Sequence, residues 1–177
     1  QHYPKLTCCI EVTNAIFNNI NPEQITYLSI SSNTGCDLRA FKNVLYLELY
    51  GYFKNENIYG LKPIALSVRH CTNSIDIPES TKIFVAGSDT SSINLQFANN
   101  IEEFNYMTMS FLDTSLYFAV KRHHIKKIYI WDCDYAKIQY LIRTGILSKS
   151  VQIIRSSGND DIVKERFYQF QREVTQA

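Results

Sequence analysis

Apolar residues recur along most of the chain at a fixed spacing. In the clearest unit, Ile25, Leu28 and Ile30 stand at the first, fourth and sixth places, and Asn33 stands at the ninth. We number the places of every unit in this way. Short apolar alternation of this kind predicts β-strands with one buried face. The same apolar spacing returns in three further units: Val44, Leu47, Leu49; Ile101, Phe104, Tyr106; and Ile125, Ile128, Ile130.

The distance between units separates the candidate folds. The fourth-place residues follow one another at intervals of 17 to 24 residues: Leu28, Leu47, Leu66, Ile83, Phe104, Ile128 and Val151. Strands of a β-sandwich usually recur about every 8–12 residues. A doubly wound α/β fold needs longer crossover helices than most of these segments allow. The interval therefore favours a solenoid in which each unit adds one parallel strand. In the fourth unit, Ile83 and Val85 are the only clear inward pair.

Two segments near the carboxyl end have helical patterns. The first runs from Asp134 to Gly145, with Asp134 as the cap, Gly145 as the stop, and Ile138 inward. The second covers about residues 160–174 and carries an apolar stripe that includes Phe167 and Phe170. A solenoid must close its open end, so we predict that this second helix is a cap.

The spacing resembles the L-x-x-L-x-L-x-x-N/C pattern of the leucine-rich-repeat superfamily over about residues 6–155. The unit from Ile77 to Gly87 also looks like the I-P-x-S-V-x-x-L-x-L-G core of FNIP repeats, which are divergent relatives. The resemblance implies one domain over residues 1–177, with an irregular α/β solenoid fold. It also implies a parallel sheet on the concave face of an arc, a capping helix, and a role in binding rather than catalysis. The ninth place matches the family at Asn33, Cys71 and Cys133.

The third, fifth and seventh places of each strand fall on the predicted concave face, because successive side chains alternate sides. Aromatic residues are frequent there, and proteins rarely expose a large apolar patch without a use for it. Tyr, Trp and Arg also dominate interface energetics. We therefore predict a protein partner on this face. The predicted contact residues are Tyr27, Tyr46, Glu48, Tyr50, Arg69, Phe84, Asn105, Tyr129 and Trp131.

A second interpretation fits the same aromatic rows. The chain would then be a structural or oligomerising fragment of a larger protein, and its aromatic face would be covered by itself or by a neighbouring chain. Burial of Tyr46, Tyr50, Tyr129 and Trp131 within one chain would favour this interpretation over partner binding.

Charge and composition narrow the classes of partner. The formal net charge is +1, which gives no global electrostatic case for nucleic acid or an acidic membrane. The one basic cluster, residues 121–127, is interpreted as a solvated loop. No apolar run approaches the ~20 residues that a membrane-spanning helix needs.

Candidate chemistry is sparse. There is no phosphate-binding glycine loop, nucleophile elbow or H-E-x-x-H motif, so we expect no catalysis, cofactor or metal. The five cysteines are odd in number and form no C-x-x-C pair, and no N-x-S/T acceptor occurs. These features favour a reducing compartment, and we predict a cytoplasmic protein. The chain begins with Gln1 rather than Met, which is compatible with the loss of a targeting segment.

Overall fold

The computed structural model describes residues 21–32, 36–70, 75–86, 93–94, 99–106, 125–131, 135–145, 147–156, 169 and 172. Within these ranges, short strands alternate with turns, one 3-10 helix and two α-helices. In chain order the elements are a 3-10 helix (Pro22–Gln24), β1 (Tyr27–Ser32), β2 (Tyr46–Gly51), α1 (Asn55–Ile58), β3 (Ala65–Arg69), β4 (Ile75–Asp76), β5 (Ile83–Ala86), β6 (Ile93–Asn94), β7 (Glu103–Tyr106), β8 (Lys127–Trp131), α2 (Tyr135–Arg143) and β9 (Gln152–Ser156).

The strands form a parallel-sheet β-solenoid with few helices, as the interval between units predicted. Seven strands pair in the order β1, β2, β3, β5, β7, β8, β9, and every neighbouring pair is parallel. A second, two-stranded parallel sheet joins β4 to β6 on the return side of two successive units. The expected start of the repeats near residue 6 lies outside the described residues.

A repeated backbone joint holds each unit to the next. The carbonyl at the second place accepts hydrogen bonds from the backbone N–H groups at the second and third places of the following unit. Thr26, for example, accepts from Leu45 at 2.8 Å and from Tyr46 at 3.1 Å. No side chain takes part, so the joint sets the register for any residue other than proline. The accepting carbonyls belong to Thr26, Leu45, Ile64, Lys82, Glu102 and Lys126, the last of which accepts from Gln152 at 2.9 Å.

The main core is built from the fourth-place side chains, which stack from strand to strand beneath the sheet. Full burial of such a side chain is worth roughly 1.5–3 kcal/mol, so the stack is a large part of the stability of the solenoid. The buried members are Leu28, Leu47, Leu66, Phe84, Phe104 and Ile128.

The fourth unit differs from the prediction by one residue. Ile83 was expected to face inward, but the register pairs Phe84 with Leu66 on one side and with Phe104 on the other. The Phe84 ring is fully buried and lies 5.4 Å from the Phe104 ring, centroid to centroid. A shift of one residue exchanges the two faces of a strand. Phe84 is therefore a core residue and leaves the predicted binding face, while Ile83 and Val85 move onto that face.

The carboxyl-terminal units follow the prediction in part. Helix α2 is confirmed over Tyr135–Arg143, since Ile138 is buried and Gly145 has the positive φ of 75° expected at a helix stop. Its predicted cap, Asp134, lies outside the described residues. In the last strand, the register places Ile153 opposite Ile128, so the prediction of Val151 at the fourth place was wrong by two residues. Of the predicted capping segment, residues 169 and 172 are described, and the rest lies outside the described residues.

Candidate functional site

The outer sheet face is the side of the seven-stranded sheet that points away from the main core. It carries the third, fifth and seventh places and corresponds to the face predicted to be concave. The register fixes which residues are neighbours on adjacent strands. From β1 to β5 the third-place row is Tyr27, Tyr46, Ala65, Ile83; the fifth-place row is Ser29, Glu48, Ser67, Val85; and from β1 to β3 the seventh-place row is Ser31, Tyr50, Arg69.

One strip of the outer sheet face is a second hydrophobic cluster. The rings of Tyr27 and Tyr46 stack with their centroids 4.4 Å apart and their planes at 20°. Tyr27 is half-buried, whereas Tyr46 is only 3 % exposed. This strip is therefore packed rather than open to solvent. Its buried members are Tyr46, Ala65, Ile83 and Val85, with Tyr27 and Ile64 packed against them.

The burial of this face corrects the expected exposure of two further aromatic residues. Tyr46 and Tyr129 were expected to stand open to a partner, but both are buried, Tyr129 at 8 % exposure. Alternation along a strand correctly gave the side of the sheet. It gave no information on what packs over that side. In the structure, Tyr46 and Tyr129 are as buried as residues of a packed core.

A charged pair lies beside the apolar strip. The Nε atom of Arg69 is 3.9 Å from Oε1 of Glu48, and the two side chains are only 13 % and 20 % exposed. The Tyr46 hydroxyl donates a hydrogen bond of 3.2 Å to Oε2 of the same carboxylate. Glu48 thus links the aromatic strip to Arg69.

Burial changes the acidity of Tyr46. Loss of solvent raises the pKa of its phenol well above 10, and the neighbouring Glu48 charge adds to the effect. The hydroxyl therefore stays protonated over the physiological range and acts as the donor in its bond to Glu48.

The Tyr50 corner, formed by Tyr50, His70, Arg69 and Glu48, is the accessible part of the outer sheet face near β2 and β3. Tyr50 is 37 % exposed and pairs in register with Arg69. Its ring lies 4.8 Å from the His70 ring, with the planes at 47°. The corner thus combines an exposed ring, a half-buried imidazole and a mostly buried ion pair.

His70 has an unusual backbone conformation for its residue type. Its φ of 49° lies in the left-handed region, which costs a non-glycine residue roughly 1 kcal/mol or more. The equivalent eighth place of the preceding unit is Gly51, with φ of 99°. The turn after the strand therefore requires a positive φ, and His70 accepts the strain while its ring contacts Tyr50.

Two predicted contact residues are described only through their backbones. Asn105 pairs with Tyr129, and Trp131 pairs with Ser156 at the end of β8. Trp131 stands at the seventh place, as Tyr50 and Arg69 do on their strands. Their side chains lie outside the described residues.

Sequence reasoning missed His70 and misjudged Ser67. A signal for His70 was present, because Gly51 marks the preceding eighth place as a turn position. Ser67 was expected to be exposed, but it is fully buried, and its hydroxyl has no hydrogen-bond partner in the described part of the chain. Nothing in the sequence pattern signals that burial.

Metal-binding clusters and reactive thiols were sought among the described residues. In those ranges no cluster of three or more His, Cys, Asp or Glu residues could hold a metal ion. Cys36 is a free, buried cysteine, and burial, followed by the nearby Asp37 charge, raises the pKa of its thiol. A raised pKa lowers the thiolate fraction and with it the reactivity. None of the helices in the described ranges has both the length and the apolar character needed to cross a membrane.

Comparison of the chain with protein-family models, curated proteins and solved structures gave no match. Any statement about family or function therefore depends on the geometry described above.

Proposed function

We propose that this protein is a non-catalytic interaction module that binds a protein partner through the outer sheet face. The observation that carries the proposal is the exposure of Tyr50 on that face, beside Arg69. Three large apolar side chains are exposed in the described part of the chain, namely Tyr50, Tyr59 and Tyr140. Of these, only Tyr50 belongs to a strand of the sheet.

The chemistry of the Tyr50 corner supports binding. Tyr and Arg are enriched among interface residues whose truncation costs most, and such residues lie in partly desolvated surroundings. Arg69 is largely desolvated already, so a partner would not need to strip much water from it. The contact surface of the proposal is then Tyr27, Glu48, Tyr50 and Arg69.

Trp131 extends the proposed surface along the seventh-place row. Four strand steps separate β2 from β8, and adjacent strands lie ~4.8 Å apart, so the row spans on the order of 20 Å. We expect Trp131 to be an anchor whose loss costs ~2 kcal/mol or more in binding. Asn105 belongs to the fifth-place row and stays in the proposal as a contact.

Affinity enrichment with matched tyrosine variants tests this function. Partners captured by the wild-type chain are compared with those captured by Tyr50→Ala, Arg69→Ala and the control Tyr59→Ala, which removes an exposed tyrosine away from the sheet. We expect a specific partner to be lost at least tenfold with the first two variants and retained with the control. Equal loss in all three, or retention in all three, would contradict the proposal.

The packed strip favours a second candidate function. Tyr46 and Tyr129 are buried, as expected for a structural or oligomerising fragment whose aromatic face is covered. In that case Tyr46→Ala should destabilise the fold, and the wild-type chain should self-associate. Sedimentation velocity over a range of concentrations measures the association, and a monomer at all concentrations would count against oligomerisation.

Three finer assignments belong to the proposal as well. The repeat geometry supports a leucine-rich-repeat-like identity, with the fourth-place stack as its core. A carboxyl-terminal cap is supported by residues 169 and 172, which are both helical and exposed. The free Cys36 agrees with a reducing, cytoplasmic location, which stays a prediction.

A further inference from the structure

Charges on the outer sheet face are arranged in neutralising pairs. Glu48 and Arg69 approach to 3.9 Å between Oε1 and Nε. Farther along the sheet, Glu103 and Lys127 are register partners on β7 and β8 and repeat the opposite-sign arrangement. Neither pair leaves a net charge for a partner to neutralise. The described part of this face therefore gives no advantage to a strongly acidic or strongly basic ligand.

The burial of the Glu48–Arg69 pair strengthens its discrimination against charged groups. Both side chains are mostly removed from water, and electrostatic interactions are stronger where water is excluded. A carboxylate that approached Arg69 would also meet the Glu48 carboxylate. A cation that approached Glu48 would meet the guanidinium in the same way. A neutral group with one donor and one acceptor avoids both repulsions.

A buried hydroxyl and two aromatic rings lie next to the pair. Ser67 is the register partner of Glu48 and lies two residues before Arg69 on the same face. Its buried hydroxyl lacks a hydrogen-bond partner among the described residues, and unsatisfied buried polar groups are rare in folded proteins. Tyr50 is the register partner of Arg69, and its ring, tilted by 47° against that of His70, offers a surface for a flat group.

We propose that the Tyr50 corner recognises the uncharged primary amide of an Asn or Gln side chain of the partner, because one N–H and the carbonyl of a primary amide point to the same side, unlike those of a trans peptide group. The amide N–H donates to Glu48, its carbonyl accepts from the guanidinium of Arg69, and its flat face lies against Tyr50. This inference depends on the proposed function and names the chemistry of the partner at that site. Acidic and basic segments are discriminated against by the same ion pair.

NMR titration of the full chain with three small probes tests the inference. The probes are N-acetyl-asparagine methylamide, acetate and methylguanidinium, and the reporters are the ring signals of Tyr50, with those of the remote Tyr59 as control. In the wild type we expect saturable shifts of the Tyr50 signals with the amide probe alone. Acetate or methylguanidinium binding as tightly as the amide would overturn the inference. Shifts that are no larger at Tyr50 than at Tyr59 would also overturn it.

Charge-neutralising variants provide the matched controls. Glu48→Gln leaves Arg69 without its counter-charge, so acetate should gain at least tenfold in affinity. Arg69→Gln has the opposite effect, and methylguanidinium should gain instead. Absence of both gains in folded variants would contradict the role of the ion pair. If either variant fails to fold, the ranking of the three probes on the wild type still decides the question.

The two proposals fail in different ways. If the amide probe does not bind but Tyr50→Ala still loses a specific partner, the interaction function holds and the amide chemistry is wrong. If the amide probe binds but Tyr50→Ala and Arg69→Ala retain every partner, the site recognises amides without carrying the protein interaction. The amide inference, which depends on that interaction, is then also rejected as an account of the partner.

Discussion

With Phe84 at the fourth place, Thr81 occupies the first place of the fourth unit. A substitution at Thr81 therefore tests this register directly. Four of the other six units carry an aliphatic side chain at this place: Ile25, Val44, Ile101 and Ile125. Thr81 is fully buried, and its Oγ1 atom has no hydrogen-bond partner in the described part of the chain. Its backbone N–H donates to the Pro78 carbonyl at 3.1 Å, and any residue other than proline can make that bond.

Replacing Thr81 by Val should stabilise the protein. Burial of an unsatisfied hydroxyl costs about 1–3 kcal/mol, and Val has nearly the same shape without the polar atom. We expect a gain of about 1–2 kcal/mol in the free energy of unfolding. For a chain of this size each kcal/mol shifts Tm by roughly 2–4 °C, so Tm should rise by about 2–8 °C.

Guanidinium denaturation followed by circular dichroism measures the change, with calorimetry for Tm. The control is Thr26→Val, the same substitution at an exposed position, which should stay within about 0.5 kcal/mol of the wild type. A loss of more than about 0.5 kcal/mol in Thr81→Val would refute the reasoning. The hydroxyl would then be satisfied in solution, or the fourth unit would have another register.

Three further predictions concern the core, a phenol and a thiol. Leu47→Ala and Ile128→Ala each remove a fully buried fourth-place side chain. Each should lower the free energy of unfolding, measured by chemical denaturation, by ~2–5 kcal/mol. A loss below about 0.5 kcal/mol would contradict the placement of these residues in the core. The pKa of Tyr46 is raised in the folded state, so the contribution of its phenol to the free energy of unfolding is complete below pH 10 and is lost as pH rises above 10. The Tm of the wild type should therefore fall faster than that of Tyr46→Phe above pH 10. Parallel Tm curves would contradict this. Cys36 should react slowly with a thiol reagent until the chain unfolds, as measured by mass spectrometry of its labelled peptide; rapid labelling of the folded chain would count against its burial.

The repeated strands could be predicted because their inward residues are strongly apolar and their outward residues are mostly polar. At β1 and β2 only one face of each strand can point inward, because the strongly aliphatic residues all lie on that face: Leu28, Ile30, Leu47 and Leu49. At β5, by contrast, Ile83, Phe84 and Val85 are all apolar, so alternation fits either face equally well. The larger ring of Phe84 lies in the core between Leu66 and Phe104.

A second signal at β5 pointed to the correct register. In the I-P-x-S-V-x-x-L-x-L-G pattern, aligned at Ile77 and Pro78, the two L positions fall on Phe84 and Ala86 rather than on Ile83 and Val85. The structure pairs Phe84 and Ala86 with Leu66 and Val68 in the same register. A motif that includes the preceding turn therefore fixed what strand alternation alone left open.

The candidate site was less predictable than the fold. Alternation correctly assigned Tyr46, Tyr50, Arg69 and Tyr129 to the outer sheet face. Burial over that face depends on contacts between units, and these contacts are not local in sequence. For the same reason the sequence did not indicate that Tyr50 would stay accessible while Tyr46, four residues earlier, is packed.

The backbone joint between units has a consequence for how this molecule can change over time. Its acceptors and donors belong to the main chain, so natural selection on the joint excludes only proline, which lacks the N–H, from the second place. The six residues found there accordingly include aliphatic, hydroxyl, acidic and basic types. A unit could be duplicated, deleted or recruited from elsewhere and still connect to its neighbours. Sequence drift at these positions, short of proline, therefore leaves the connection between units intact.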